Sequence, residues 1–262
     1  MEYYTKLTMP FIFVQMMLIR TIHILFYGII LAIFTLFVVL FSILPIKIHK
    51  QVGSTLFRYW AGLFFKLFGI KENIHNENKM PLPLKYILIS NHPSGIDLIW
   101  LPVKFDVIPL SKAEIKNWFL IGRIAAMAGT LFVKREDLVS RTQAARMCKD
   151  ALDAGKNLLI FPEGGCRGKN VNSFLPGAFH ISQKTNTPIL PVFIYYEDED
   201  SYEWGDYGVL KFIYRALFKP SNRNAHLFIY DPFNPGDYTD PEQFMESVHG
   251  FYLEKEKENV IK

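Results

Sequence analysis

Hydrophobic side chains are concentrated unevenly along the chain. Residues 24–44 form an uncharged run of 21 residues, which as a helix rising about 1.5 Å per residue reaches about 30 Å, the hydrocarbon thickness of a bilayer. That run predicts a membrane helix. A shorter apolar run at 11–19 is set apart from it by Arg20 and His23, side chains able to reach a polar interface. The main run is too long and starts too late for a cleaved signal peptide, and no small-x-small site precedes Pro45. After a break over 45–53, the stretch 54–70 changes character. Thr55, Arg58, Gly62, Lys66 and Gly69 recur at helical spacing as a narrow basic or small stripe, with Leu, Phe, Tyr and Trp around it. Such a helix suits a headgroup layer, and the same pattern also fits a core helix of a globular domain.

Residues 71–85 are polar and contain Met80-Pro81-Leu82-Pro83, which reads as a linker. Beyond it, short apolar runs alternate with helical patterns. Strands are predicted at 86–90, 107–110, 130–133, 157–161 and 189–195, and helices at 94–104, 113–128, 138–154 and 178–185. This alternation predicts an α/β fold, a mainly parallel sheet flanked by helices with right-handed crossovers. The chain divides into a hydrophobic part, 1–70, and a globular domain, 71–262, whose charged end at 254–262 is a solvated helix terminus.

One stretch concentrates the candidate chemistry. The run Tyr86-Ile87-Leu88-Ile89-Ser90 has the continuous apolar character of a strand buried on both faces, and it ends in the polar turn Asn91-His92-Pro93-Ser94-Gly95-Ile96-Asp97. Pro93 stops the strand, and Ser94 is a good N-cap for a helix carrying Asp97 in its first turn. His92 then sits at the carboxyl end of a strand, where ligands gather in open α/β sheets. A carboxylate brought to one ring nitrogen by this turn fixes the tautomer and leaves the other nitrogen as a general base for a substrate hydroxyl, with no protein nucleophile needed. On spacing alone a second reading stands beside it: His92 bonds a loop carbonyl, and Asp97 is placed at a helix N-terminus by its charge.

The turn resembles the NHxxxxD motif of the glycerolipid acyltransferases, the family that includes 1-acyl-glycerol-3-phosphate acyltransferase. Three further blocks follow in that family's order: Gly129-Thr130-Leu131-Phe132-Val133-Lys134-Arg135, Phe161-Pro162-Glu163-Gly164 and Thr187-Pro188-Ile189-Leu190-Pro191-Val192. The resemblance covers 53–192. It implies that His92 is the base oriented by Asp97, that Arg135 binds the phosphate of an acceptor lipid, and that Glu163 and Gly164 help to form the acceptor pocket. It also implies an N-terminal two-helix membrane anchor over 1–70. Arg135 and Lys134 do follow an apolar strand to the sheet's carboxyl edge, where a guanidinium grips phosphate bidentately; read without the family, 134–137 is an ordinary charged strand exit. The third block departs from the family: Gly165, Cys166 and Arg167 stand where Thr-Arg-Ser is usual, so Arg167 is carried over from a shifted position. Phe174-Leu175-Pro176-Gly177 likewise keeps the family's Phe and Gly without the basic residues between them. Both departures bear on the headgroup more than on acyl transfer. The glycine-rich loop is no nucleotide P-loop, since that spacing needs Gly at 163 and Ser or Thr at 170, where Glu163 and Asn170 stand.

Composition adds limits. Half of the 262 residues are hydrophobic, with 23 Phe, and the positive mean hydropathy is high for a soluble enzyme. A net charge of +4 does not argue for nucleic acid and suits anionic lipids or phosphorylated substrates. Cys148 and Cys166 give neither a disulfide framework nor metal-ligand spacing, which points to a reducing compartment, no metal and no redox cofactor. Cys166 reads as a bystander, with no His beside it in sequence. The expectation is therefore a membrane-bound O-acyltransferase that moves a fatty acyl group from acyl-CoA or acyl carrier protein to the free hydroxyl of lysophosphatidate. Backbone amides of the 91–95 turn would stabilise the oxyanion. Alternatives are glycerol-3-phosphate or another lysolipid as acceptor, a non-catalytic lipid-binding protein, and a hydrolase. The partners implied are membrane lipids and the acyl donor; the sequence assigns no oligomeric state. Lys47, Lys50, Arg58 and Lys66 beyond the apolar run put the globular domain on the cytosolic side of the cytoplasmic (inner) membrane.

Overall fold

The computed structural model describes residues 2–42, 46–118, 120–205 and 208–260. Two long helices come first, α1 (Glu2–Phe41) and α2 (Ile46–Phe68), followed by β1 (Lys71–Asn76), β2 (Ile87–Ser90), α3 (Asp97–Phe105), β3 (Val107–Lys112) and α4 (Ile121–Met127). The order continues with β4 (Leu131–Val133), α5 (Leu138–Asp153), β5 (Asn157–Ile160), α6 (Gly177–Thr185) and β6 (Ile189–Tyr196). It closes with α7 (Glu199–Tyr202), α8 (Val209–Phe218), β7 (Asn224–Ile229) and α9 (Pro241–Val260).

The stretch Met17–Phe41 of α1 is long and apolar enough to cross a membrane, and nearly all of it is unburied. Helix α1 runs unbroken through Arg20 and His23, so the two apolar runs belong to one helix; the predicted end at Leu44 lies outside the described residues. Arg20 donates to the carbonyls of Leu67 and Phe68 (3.3 and 3.1 Å), and His23 Nε2 lies 2.7 Å from the Lys66 carbonyl. They satisfy the orphan acceptors at the C-terminus of α2, a demand the linear pattern does not display. Helix α2 itself starts eight residues earlier than predicted. Its stripe of Thr55, Arg58, Gly62 and Lys66 is exposed, while Phe64, Leu67 and Phe68 enter the core on one face of the sheet. Residue 70 is therefore not a packing boundary.

The predicted linker at 71–85 is corrected as well: its first six residues are β1, paired in parallel with β7 from Lys71–Asn224 to Asn76–Ile229. An edge strand is solvated along its free side, so it escapes a search for apolar runs. The seven-stranded sheet has the order β1-β7-β6-β2-β5-β3-β4, parallel at every junction except β6–β7. It is a mainly parallel α/β sheet flanked by helices. Its central strand β2 alternates between two cores, with Leu88 under α2, α3 and α8, and Ile87 and Ile89 under α5, α6 and α9. Two helix predictions also shift. Ser94 does not cap α3, which begins at Asp97, because its hydroxyl accepts the Ile96 amide inside the turn (3.3 Å). The 113–128 prediction divides into a 3₁₀ turn, Ala113–Asn117, and α4.

Helix α9, which sequence patterning left almost unread, closes the sheet. Pro191 lies inside β6 and has no amide hydrogen to give. Beside it the fully buried Tyr252 hydroxyl accepts the Val192 amide (3.1 Å) and lies 2.9 Å from the Ile89 carbonyl. Tyr252→Phe leaves these buried groups unpaired and is expected to cost about 1–3 kcal/mol of stability. Denaturant melts of the two proteins check it.

Candidate active site

The turn after β2 is aimed by a side chain that imitates backbone. Beyond the last ladder pair, Ser90–Val192, Asn91 continues the pairing through its amide: Oδ1 accepts the Ile194 amide at 2.8 Å and Nδ2 donates to the Ile194 carbonyl at 2.9 Å. His92 leaves the sheet at this fixed point, its ring stacked on Phe161 at 3.8 Å between centroids. Its Nδ1 lies 3.0 Å from Asp97 Oδ2. The turn thus brings the carboxylate to one ring nitrogen, and Asp97 also stands at the start of α3. Asp97 is fully buried and accepts two further bonds, from the Ser94 amide (2.9 Å) and the Tyr196 hydroxyl (2.7 Å). Burial and the carboxylate beside it hold the Tyr196 hydroxyl well above its ordinary pKa, so it remains a donor. These partners assign the Nδ1–H tautomer to His92, leaving Nε2 as the nitrogen available to a substrate.

The loop after β5 forms the other wall. Glu163 is buried, and both its oxygens are occupied: Oε1 accepts the His92 amide (3.1 Å), and Oε2 accepts the Asn172 side chain (3.0 Å) and backbone (3.3 Å). Burial pushes its carboxyl above the usual range, opposed by those hydrogen bonds. Gly164 adopts φ +79°, and a Cβ there would sit 2.8 Å from both Arg135 Nη1 and Leu175 Cδ1, so only glycine fits. Arg135 donates to the Gly164 carbonyl. Burial draws the Arg135 guanidinium below its ordinary value; Glu136 opposes this and the like charge of Arg167 reinforces it. Lys112, at the carboxyl end of β3, brings its ammonium within 3.4 Å of where a Gly165 Cβ would stand. Three cations, Lys112, Arg135 and Arg167, thus border one loop beside His92. Such a set suits an anionic group. Among the described residues, no three His, Cys, Asp or Glu side chains converge as metal ligands.

Cys166 has a neighbour that sequence spacing concealed. Burial alone would lower the pKa of His92, but the Cys166 sulfur, followed by Asp97, favours the protonated ring by charge and hydrogen bonding and raises it from 6.5 to about 10.

Comparison with known proteins fits this geometry. Residues 71–195 match the family model described as Acyltransferase. This matched stretch, a little under half of the chain, is similar to an acyltransferase domain. The chain is similar to the lyso-ornithine lipid O-acyltransferase of Pseudomonas aeruginosa, with 31% identity over 150 residues, 55% of this chain and 57% of that protein. It is also similar to the 1-acyl-sn-glycerol-3-phosphate acyltransferase of Helicobacter pylori, with 30% identity over 149 residues, 55% of this chain and 61% of the other. The chain therefore spans little more than half the length of these two relatives. In fold it resembles the crystal structure of the 1-acyl-sn-glycerophosphate acyltransferase of Thermotoga maritima, at 21% identity and a TM-score of 0.56, covering 94% of this chain and 98% of that one.

The structure brings the six residues singled out from sequence together from three connections: His92 and Asp97 from the turn after β2 and the start of α3, Glu163, Gly164 and Arg167 from the loop after β5, and Arg135 from the segment after β4, which reaches that loop through the Gly164 carbonyl. Two amides of the 91–95 turn expected to stabilise an oxyanion, those of His92 and Ser94, are already donated to Glu163 and Asp97. Sequence reasoning missed Tyr196, Lys112 and Trp204. Lys112 carried the same signal as Arg135, a cation at a strand's carboxyl end. Trp204 carried none: its amide donates to the Pro93 carbonyl (3.1 Å), and its ring so crowds Gly95 that a Cβ there would lie 2.5 Å away.

A base must be unprotonated to act, so activity is expected to rise with pH along a limb set by His92, above its ordinary 6.5. Cys166→Ala removes a contribution that favours the proton, and the limb is expected to move to lower pH. A pH–rate profile of both proteins checks the direction.

Proposed function

We propose that this protein is a membrane-associated O-acyltransferase that transfers a fatty acyl group from a thioester donor, acyl-CoA or acyl carrier protein, to the hydroxyl of a lysolipid. The observation that carries it is the His92–Asp97 couple, whose carboxylate is fixed from two further sides by Ser94 and Tyr196. In this reading His92 Nε2 takes the proton of the acceptor hydroxyl as its oxygen attacks the thioester carbonyl. Asp97 stabilises the imidazolium that forms, and the ring returns the proton to the departing thiolate. No covalent acyl-enzyme is required. Glu163 acts by positioning the backbone of His92, while Arg135, Arg167 and Lys112 hold the anionic part of the substrate.

Lysophosphatidate, yielding phosphatidate, is the acceptor this cationic border suits first, and a relative from Helicobacter pylori carries that activity in its name. A lyso-ornithine type acceptor is the second reading. Two relatives bear that name, and the third block here reads Gly165-Cys166-Arg167. The apolar stretch of α1 would keep an insoluble acceptor near the base, with the domain on the cytosolic face of the membrane.

The test is transfer of a labelled long-chain acyl group, from acyl-CoA and from acyl carrier protein, to a panel of lysolipids by the membrane-bound protein. His92→Ala is expected to lower the rate by about 10²–10⁴-fold with folding intact. Unchanged transfer in the variant contradicts the assigned base, and free fatty acid without acylated lipid would make the protein a hydrolase.

A further inference from the structure

Helix α8 is apolar on both sides although only one side meets the protein. Phe212, Ala216 and Leu217 are buried in the core shared with α2 and α3. On the opposite side Leu210, Tyr214 and Phe218 recur at intervals of four and are 84%, 57% and 57% exposed. The rings of Tyr214 and Phe218 lie 5.4 Å apart, so the outward residues form one patch, not scattered single side chains. A continuous apolar patch left uncovered on a helix surface belongs beside an apolar phase.

We propose that the outward face of α8 is a second membrane-contact element, seated on the surface of an anionic bilayer beside α1. Continuity with α1 names the occupant. Arg20 of α1 donates to the Leu217 carbonyl at 3.4 Å, and Arg223 donates to the same carbonyl at 2.9 Å and to that of Phe68. These bonds hold the C-terminus of α8 against the polar edge of the apolar stretch, where outward Met17, Leu18 and Ile22 begin. The exposed Lys219 at the end of α8 matches the charge of acidic headgroups, and tyrosine favours that interfacial depth.

The same helix reaches the active site. Phe212 packs on Trp204 at 4.8 Å, and Trp204 covers Gly95 in the turn that carries His92. A bilayer under α8 therefore fixes the height and tilt of the His92 turn over the lipid.

The test places the photoreactive residue p-benzoylphenylalanine at position 210, 214 or 218 of the full chain in vesicles of phosphatidylcholine and phosphatidylglycerol. Position 29 on the outer face of α1 serves as a lipid reference, and position 184 on α6 as a solvent control. Lipid adducts at the α8 positions, in yields near that of position 29, support the proposal. Crosslinks to a second copy, or yields no higher than at position 184, overturn it. This readout is independent of which acceptor the enzyme uses. In addition, the triple variant Leu210→Glu, Tyr214→Glu, Phe218→Glu is expected to lose about tenfold in rate on an acceptor embedded in vesicles while staying within about twofold on the same acceptor in detergent micelles. Equal losses in both settings contradict the membrane role.

Discussion

A carboxylate with no contact with solvent is the constraint on which this site depends. Burying a carboxylate is unfavourable unless its oxygens are hydrogen-bonded, and Asp97 has three partners: His92 Nδ1, the Ser94 amide and the Tyr196 hydroxyl. Each comes from a different piece of structure. His92 is delivered by β2, Ser94 by the turn, and Tyr196 by the far end of β6. The geometry of the reactive ring is thus settled by the register of the sheet. The Asn91 amide locked across Ile194 is what joins the turn to that register.

The second wall is tied to the first through Glu163. Its carboxylate spans from the His92 amide to Asn172, so the cationic loop and the reactive turn move as one unit. Gly164 lets Arg135 approach the loop backbone, and Lys112 and Arg167 complete a border of positive charge. In the proposed reaction acid–base chemistry and substrate holding are separated: the buried carboxylates would position, while the partly exposed cations would meet the substrate. Cys166 adds a polarisable neighbour to the ring of His92 that the proposed reaction does not need but its proton affinity registers.

Much of this was legible in the residue pattern, for identifiable reasons. Strands β2, β5 and β6 are nearly continuous apolar runs because both their faces are buried, and such runs are visible without tertiary information. The His-x4-Asp turn was visible because its partners are close in sequence. What escaped depends on long-range pairing. Strand β1 is polar because it is an edge, α8 and β7 sit beyond the family blocks, and Tyr196 reaches Asp97 across 99 residues. Arg20 and His23 were read as interface residues because nothing local reveals that two helix ends need them as caps.

The most direct measurement of the central claim is acyl transfer by Asp97→Asn. The amide keeps the size of the carboxylate and can still accept from Ser94 or Tyr196. It cannot hold the Nδ1–H tautomer with the same charge or stabilise the imidazolium. A fall in rate of about 10²–10⁴-fold, with an unchanged melting transition, is the predicted result. A rate within about threefold of the native enzyme would contradict the account, because the buried carboxylate would then be structural and His92 would act without it.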